Sequence, residues 1–279
     1  MLKTRVLTAA LILAAFLPSL FYFPQRYWAW LAALIAGVAA WEWGGLIRFS
    51  GKGRAFYGVL VAAACIASSM AVPAAIGDGV PAEPAAPGVL AIYGLAAIFW
   101  GGVVPFWLRL KWQLADARLG AVVGLAVIVP AWLALVQLRL LGSGMLLAIL
   151  AVVWIADIAA YFAGKTFGRH KLAPSISPGK TWEGAAGATV GVLTYGLLAR
   201  HFLAVDGVSA AFWVLGLLLV TVVSVVGDLF ESLLKRQAGL KDSSHILPGH
   251  GGVLDRIDSL TSTLPTVALL WLIFAPRLP

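Results

Sequence analysis

The sequence predicts an all-α, polytopic integral membrane protein, and three observations support that fold class. Of its 279 residues, 61% are hydrophobic and only 11% are charged, and the mean hydropathy is +0.95. A water-soluble domain of this composition would lack the polar surface that it needs. Apolar stretches of about 20 residues, the length that crosses a bilayer, recur along most of the chain. They are continuously apolar rather than alternating, which favours a helical bundle over a β-barrel.

The apolar windows predict about nine transmembrane helices in a single membrane domain, residues 1–279. The windows lie at residues 6–23, 28–47, 56–76, 88–108, 121–138, 144–164, 182–203, 212–230 and 260–276. The first window contains Pro18, and the seventh is rich in glycine and begins near Glu183. These two windows are the weakest, so eight or ten helices stay open. Gly187 and Gly191 form a G-x-x-x-G pair that favours close packing inside the bundle.

The start of the chain resembles a signal peptide, because Lys3 and Arg5 precede the first apolar window. No cleavage site of small residues follows before Pro24, so we interpret this window as an uncleaved anchor. The distribution of all 20 Lys and Arg residues then predicts a cytoplasmic N-terminus, because all but four of them fall in cytoplasmic segments in that orientation. The four on the outer side are Arg26, Arg139, Arg200 and Arg277.

Residue usage narrows the environment and the partners. The only cysteine, Cys65, excludes an internal disulfide framework and a multi-cysteine metal site. The net charge of +8 is dispersed between apolar windows rather than gathered in one stripe, which fits anionic lipid and nucleotide phosphates better than nucleic acid. Tryptophans near the window ends, among them Trp28, Trp43 and Trp107, are expected to form an interfacial belt.

Acidic residues are scarce, and five of the 12 lie within one C-terminal region. They are Asp228, Glu231, Asp242, Asp255 and Asp258. Asp228 and Glu231 stand three residues apart on one helical face, and Asp255 and Asp258 repeat that spacing. Two pairs of carboxylates can therefore meet at one membrane boundary, where hard cations such as Mg²⁺ find oxygen ligands. Residues 119–279 thus hold the predicted catalytic site, whereas the N-terminal helices of residues 1–118 carry less specific sequence signals.

Basic and glycine residues lie between the two acidic pairs. Lys235, Arg236 and Lys241 stand beside the carboxylates, and Ser243 and the run Pro248 to Gly252 follow. Such a mixture predicts a metal and phosphate site, because Gly-rich turns let successive amides approach an anion. His250 is the histidine that we assign to this site. The alternative is a solvated loop whose charges only fix the topology.

A second polar segment runs from Lys165 to Glu183 and includes Ser175, Ser177, Lys180 and Thr181. It is not a P-loop, because Pro174 stands where that motif needs glycine and an apolar helix precedes it instead of a strand. We expect a loop on the same side as the C-terminal site, able to bind triphosphate or lipid phosphate. A basic loop that serves topology alone is the alternative.

Two further acids lie inside apolar windows, where a carboxylate is costly unless it is paired or solvated. Asp157 stands two turns before Lys165, and we expect it to support the site through a basic partner or a water. For Glu42 the sequence favours neither a role at the site nor a structural one.

The segment from Ser232 to Asp258 resembles the signature of the phosphatidate cytidylyltransferase (CDP-diacylglycerol synthase) family, and Ser177 to Gly184 and Gly227-Asp228 resemble that family too. The resemblance implies conversion of CTP and phosphatidic acid into CDP-diacylglycerol and pyrophosphate, in phospholipid biosynthesis. It also implies a Mg²⁺-dependent, dimeric enzyme of the bacterial inner membrane whose active site is cytoplasmic. Asp228 and Asp255 would correspond to metal-binding residues, with a second cation left open.

The expected mechanism is in-line attack of the lipid phosphate on the α-phosphorus of CTP, without a covalent enzyme intermediate. The residues assigned to catalysis are Asp228, Asp255, Asp258, Lys235 and His250. The residues assigned to substrate binding are Ser175, Ser177, Lys180, Thr181, Arg236, Lys241, Asp242, Ser243, Gly251, Gly252 and Arg256. Membrane lipids and a second copy of the chain are the other expected partners, and nucleic acid is not.

Two rival functions stay open. A secondary transporter also carries intramembrane acids, but these would gather near the midplane, and the chain lacks an evident inverted repeat. A related membrane nucleotidyl- or phosphotransferase acting on another lipid phosphate would need a similar site, and the sequence discriminates less well against it.

Overall fold

A computed structural model of the chain describes residues 2–203 and 208–274, and within them the fold is helical apart from one short hairpin. The N-terminal helices are α1 (Leu2–Tyr22), α2 (Gln25–Leu46), α3 (Gly51–Ala71), α4 (Pro73–Ile76), α5 (Pro87–Ile98), α6 (Val104–Leu110) and α7 (Ala117–Leu138). The C-terminal helices are α8 (Ser143–Phe167), α9 (Trp182–Phe202), α10 (Ala210–Gln237) and α11 (Leu254–Phe274). Arg277, used above for the topology, lies outside the described residues.

Every apolar window of the sequence corresponds to helix, and seven helical segments of the described chain are long and apolar enough to cross a membrane. The multispan membrane class is thereby confirmed. The two segments outside the seven are α1, whose apolar part is short, and α9, and these are the two windows that the sequence marks as weakest. Seven of the nine predicted spans are therefore long and apolar enough to cross a membrane.

The helices α5 and α6 form one rod that is interrupted by a π-helical turn, Phe99–Val103. Pro105 supplies the physical reason, because its ring nitrogen has no hydrogen to donate to the carbonyl one turn earlier. Trp100 within this turn is buried, and the rod packs against α11 and α10.

The helices α8 and α9 pack closely as an antiparallel pair. Gly187 and Gly191 of α9 face Ala163 and Ala159 of α8, and a Cβ at Gly191 would stand 2.8 Å from that of Ala159. The predicted packing role of this glycine pair is confirmed. Close approach of these backbones fixes where the segment between α8 and α9 emerges.

The helix α11 lies at the centre of the bundle, since it contacts α2, α5, α7, α8 and α10. Phe230 of α10 lies beside it in an aromatic cluster, with ring centroids 5.4 Å from Trp107 and 5.6 Å from Trp100. Trp43 of α2 joins the cluster at 6.4 Å. The N-terminal helices therefore hold the end of α10 in place.

Two expectations are corrected by this packing. Of the tryptophans expected in an interfacial belt, Trp28, Trp43 and Trp107 are buried in the core, and the Trp43 indole donates to the carbonyl of Gly120. Trp112, another tryptophan at a window end, is exposed as the belt requires. The segment from Lys165 to Glu183 is not wholly a loop, because Lys171–Ala173 (β1) and Ser177–Thr181 (β2) pair as an antiparallel hairpin. Lys171 stands opposite Thr181, and this register directs the end of β2 into the start of α9.

Candidate active site at the ends of α10 and α11

The helix α10 continues two turns beyond the apolar window that ends at residue 230. It does so because Leu233 and Leu234 are buried in the core, while Asp228, Glu231 and Lys235 lie on the same side at intervals of three and four residues. One end of this helix therefore carries an acidic and basic face beside an apolar one. The polar face looks toward the first turn of α11.

Asp255 in the first turn of α11 is bound on both carboxylate oxygens. Its Oδ1 accepts a hydrogen bond from Lys235 Nζ at 2.6 Å. Its Oδ2 accepts from the backbone amides of Ser243 and Gly252, at 2.9 and 2.8 Å, and from the Ser243 hydroxyl at 2.9 Å. The side chain is almost wholly buried, so these charge-assisted bonds hold it in one orientation.

Lys235 serves two carboxylates. Besides Asp255, its Nζ lies 3.3 Å from Glu231 Oε1, one helical turn earlier. Neither oxygen of Glu231 has a hydrogen-bond partner among the described residues, although both are buried. The lysine thus supplies most of the positive charge that offsets two buried acids.

Asp228 forms an ion pair with Lys180 at the end of the hairpin, through its Oδ2. Its Oδ1 accepts a hydrogen bond from the Ser232 hydroxyl at 3.2 Å. Both partners of the ion pair keep about a quarter of their side-chain surface exposed, so a ligand can reach them. Ser232 was not assigned to the site from the sequence, although its position four residues after Asp228 places it on the same helical face.

Thr181 ends the hairpin and begins α9. Its side chain is buried, and its hydroxyl accepts from the amide of Gly184 at 3.1 Å as the helix N-cap. Next to it, His170 Nδ1 lies 2.6 Å from Glu183 Oε1, and this hydrogen bond is the main reason that the pKa of the Glu183 carboxyl falls to about 2. These contacts fix the hairpin relative to α9 and so place Lys180.

Asp258 lies one turn after Asp255, at the closest approach of α10 and α11. A Cβ at Gly227 would stand 3.0 Å from the Asp258 carbonyl oxygen and would overlap the Ser262 hydroxyl. Asp157 lies on α8, which packs against both α10 and α11. Its support of the site through a basic partner or a water stays a prediction.

The loop between α10 and α11 is tied to the N-terminal half by Glu42 of α2. Its carboxylate accepts hydrogen bonds from the Ser244 hydroxyl and from the amides of Val253 and Leu254, and it shares the single hydroxyl proton of Ser243 with Asp255. A Cβ at Gly252 would stand 2.5 Å from Glu42 Oε1, so only glycine fits there. Sequence reasoning left the role of Glu42 open, and its one signal was a carboxylate inside an apolar window.

The Gly-rich turn takes the backbone through left-handed conformations, with φ of +78° at Gly249 and +84° at Gly251. The amide of Leu247 donates to the carbonyl of Gly251, which closes the turn. His250 at its tip has a buried Nδ1 without a hydrogen-bond partner among the described residues. A Cβ at Gly251 would stand 2.7 Å from Asp255 Oδ2, so the turn lies directly beside this carboxylate.

Several assigned residues make no described contact with this centre. Arg236, Lys241, Arg256 and Ser175 are exposed, and Ser177 is half-buried. Asp242, also half-buried, does lie against the Gly-rich turn, since a Cβ at Gly251 would stand 3.4 Å from the Asp242 Cβ. The Arg236 guanidinium donates only to the carbonyl of Leu240, at 3.4 Å. Their assignment to substrate binding stays a prediction.

Within residues 2–203 and 208–274, no three His, Cys, Asp or Glu side chains stand together as a preformed metal cluster. Mg²⁺ does not require one, because it commonly takes one or two carboxylates and completes its shell with water and phosphate oxygens. Asp228 is partly exposed. Among the described residues, Asp255 Oδ1 accepts a hydrogen bond from Lys235 alone. Each of these two carboxylates can therefore accept a further ligand. The donor chemistry therefore fits this cation.

The arrangement as a whole suits polyanions. Lys180 and Lys235 supply fixed positive charge, the carboxylates supply oxygen ligands, and the left-handed glycines let the turn approach a ligand closely. No cysteine lies near these residues, since Cys65 is buried within α3. Charge neutralisation and alignment are what such a site can contribute to catalysis.

Comparison with known proteins agrees with this geometry. The model of the cytidylyltransferase family matches residues 3–274. A phosphatidate cytidylyltransferase of Pseudomonas aeruginosa is 39% identical over 278 residues, which cover 97% of both chains. Another, of Haemophilus influenzae, is 34% identical over 282 residues, covering 95% of this chain and 96% of the relative. The resemblance seen in the Ser232 to Asp258 segment is thereby confirmed, and the chain belongs to the cytidylyltransferase family.

Proposed function

We propose that the protein is a CTP:phosphatidate cytidylyltransferase, which makes CDP-diacylglycerol and pyrophosphate from CTP and phosphatidic acid. The observation that carries the proposal is the convergence of three separate segments on one polar centre. Asp228 of α10 pairs with Lys180 of the hairpin, and Lys235 pairs with Asp255 of α11. Relatives that match nearly the whole chain bear the name of this activity.

The proposed reaction is a single displacement. A phosphatidate phosphate oxygen attacks the α-phosphorus of CTP, a new P–O–P bond forms, and the α–β phosphoanhydride bond breaks. Pyrophosphate leaves with the bonding electron pair. Because the attacking phosphate is already anionic near neutral pH, the main barrier is the approach of two polyanions rather than deprotonation.

In this mechanism Lys180 and Lys235 neutralise phosphate charge. Lys180 is paired with Asp228 before substrates bind, and its partial exposure allows the ammonium group to turn onto a phosphate. Lys235 is held by Asp255 and Glu231 and keeps a fixed position. Arg236, Lys241 and the amide of Gly251 would bind the remaining phosphate oxygens, whereas the amide of Gly252, assigned to substrate from the sequence, is taken by Asp255.

We include magnesium in the proposal, with Asp228 and Asp255 as the residues that would hold it and Asp258 as their support. When bound, the ion would supply positive charge that offsets the negative charge of the phosphates and of the leaving pyrophosphate. The acceptor capacity of these two carboxylates supports this assignment. A second cation stays open.

The proposal places the enzyme in the inner membrane of a bacterium, with the site on the cytoplasmic side. The asymmetry of Lys and Arg supports that orientation. A site at helix ends meets water, which CTP needs, and the acyl region, which the lipid needs. A homodimer is proposed from the family resemblance alone.

The test uses the purified full chain in lipid nanodiscs, with labelled CTP, Mg²⁺ and either phosphatidate or another lipid phosphate such as a polyprenyl phosphate. We expect labelled CDP-lipid and one equivalent of pyrophosphate with phosphatidate, and loss of both when EDTA is added. If labelled CDP-lipid forms only with the other lipid phosphate, that lipid replaces phosphatidate as the proposed substrate. In proteoliposomes, uptake of label without any CDP-lipid would favour a transporter and overturn it.

A further inference from the structure

Glu42 of α2 is a wholly buried carboxylate that the proposed mechanism does not use. Its residue exposure is 0%, and none of the ion pairs in the described part of the chain involves it. A buried carboxylate without a cation costs free energy unless hydrogen bonds compensate it. The structure must therefore supply these bonds by other means.

Every partner of this carboxylate lies within residues 243–254, which end the segment between α10 and α11 and include the first residue of α11. Glu42 Oε1 accepts from the Ser244 hydroxyl at 2.5 Å and from the amide of Val253 at 3.0 Å. Its Oε2 accepts from the amide of Leu254 at 2.6 Å and lies 3.2 Å from the Ser243 hydroxyl. One side chain of the N-terminal half thus ties both ends of residues 243–254 together.

The charge of Glu42 is also placed to interact with α11. Leu254 is the first residue of that helix, and its amide and that of Val253 are among the donors that a helix leaves free at its N-terminus. A carboxylate at this position completes their hydrogen bonding and is stabilised by the helix dipole. Glu42 therefore anchors the start of the helix that carries Asp255.

Glu42 and Asp255 are connected through shared neighbours. The Ser243 hydroxyl lies 3.2 Å from Glu42 Oε2 and 2.9 Å from Asp255 Oδ2. Gly252, whose amide donates to Asp255, precedes Val253, whose amide donates to Glu42. Two carboxylates from opposite halves of the chain thus hold one turn between them. A shift of either would move the donors of the other.

We infer that Glu42 is a positioning residue for the reaction, which acts by fixing residues 243–254 so that Asp255 and the Gly-rich turn keep their orientation toward the substrates. The inference rests on the proposed function for its kinetic consequence. Glu42 contacts no reacting atom, so its replacement should lower turnover more than it lowers substrate affinity. The inference also gives the N-terminal helices, whose sequence signals are less specific, a defined role at the site.

The principal test replaces Glu42 by glutamine. Glu42→Gln keeps the volume but turns an NH₂ group toward donors, so at least one of these hydrogen bonds is lost. We expect kcat for CDP-lipid formation to fall about 10- to 100-fold, while KM for CTP changes by less than about threefold. Hydrogen–deuterium exchange without substrates should become faster at Val253 and Leu254. It should also become faster at Ser243 and Gly252, whose amides are bound to Asp255.

Glu42→Asp is the conservative variant, since it restores a carboxylate on a shorter side chain. We expect its kcat and its loop exchange to lie between those of the wild type and Glu42→Gln. The matched control is Gln137→Met, which removes another wholly buried, hydrogen-bonded polar group, one that binds Tyr93 and the carbonyl of Ala75. It should lower thermal stability without changing kcat or the exchange of residues 243–254.

The inference is overturned if Glu42→Gln keeps kcat within about twofold of wild type, whatever its thermal stability. It is equally overturned if the exchange of Ser243 and Gly252 is unchanged. Should Glu42→Gln fail to fold, Glu42→Asp and Ser244→Ala decide the question by the same two measurements. If the wild type itself forms no CDP-lipid, the proposed function fails, and the exchange experiment still decides whether Glu42 holds the turn.

Discussion

Lys235 and Asp255 form an ion pair between α10 and α11, with Nζ and Oδ1 separated by 2.6 Å. The lysine keeps 11% of its side-chain surface exposed and the aspartate 3%, so water screens their attraction little. Because Asp255 is also bound by Ser243 and Gly252, this pair connects the end of α10 with the Gly-rich turn. Disturbing it should therefore affect both stability and catalysis.

Asp255→Asn should abolish turnover while membrane insertion stays intact. The amide would remove the negative charge and turn an NH₂ group toward Lys235 or toward the amides of Ser243 and Gly252. We expect loss of CDP-lipid formation by about 100-fold or more. The assay uses equal amounts of membrane-extracted protein, with Asp78→Asn, a half-buried acid paired with the exposed Arg26, as control. Near-normal activity of the Asp255 variant would refute its assignment as a metal ligand.

Lys235→Met should destabilise the fold, because it leaves Asp255 and Glu231 buried without their cation. Breaking a buried pair from one side costs about 3–5 kcal/mol. Thermal unfolding in detergent measures this loss, and Arg26→Met, which removes the exposed partner of Asp78, should lower the melting temperature much less. Equal shifts for the two variants would show that burial adds nothing to the Lys235 pair.

Lys180→Gln should impair catalysis with little effect on stability. Its ion pair with Asp228 is partly exposed, so its contribution to folding is at most about 1 kcal/mol. We expect a higher KM for CTP and a lower kcat, with partial recovery in Lys180→Arg. Steady-state kinetics over a range of CTP concentrations provides the measurement. Unaltered kinetics together with a lower melting temperature would instead make this lysine a structural residue.

Gly227→Ala should separate α10 from α11, because the added methyl group would overlap the Ser262 hydroxyl and press on the Asp258 carbonyl. Gly216→Ala on the same helix is the matched control, since its nearest neighbour would lie 3.9 Å away. Alanine there should be neutral or stabilising by up to about 1 kcal/mol. Melting temperature and activity should both fall for Gly227→Ala only. Similar behaviour of the two variants would contradict this view of the helix crossing.

The cytoplasmic orientation can be tested by cysteine labelling in a Cys65→Ser background. Lys52→Cys and Lys241→Cys should react with a membrane-impermeant maleimide only in inverted vesicles. Glu83→Cys, on the opposite side of the proposed topology, should react in intact spheroplasts. Labelling of Lys241→Cys from outside would place the candidate site on the other face of the membrane.

Hydropathy predicts much of the fold because a span of apolar residues has few structural options in a bilayer. It placed helices at all nine windows, and the two weakest windows are the segments that fall outside the seven apolar spans. Hydropathy missed the last two turns of α10, since Lys235 and Arg236 lower it while Leu233 and Leu234 still pack in the core. It also missed the hairpin, whose strands are three and five residues long.

The membrane class, the family and the polar segments that form the candidate site can be read from the amino-acid sequence, because composition and motif spacing are local properties of the chain. Which of these residues meet depends on the packing of the helices. Asp228 pairs with Lys180, Lys235 with Asp255, and Glu42 with residues about 200 positions away. Such pairings depend on how α2, α10 and the hairpin pack around α11, and no periodicity within a single segment encodes them.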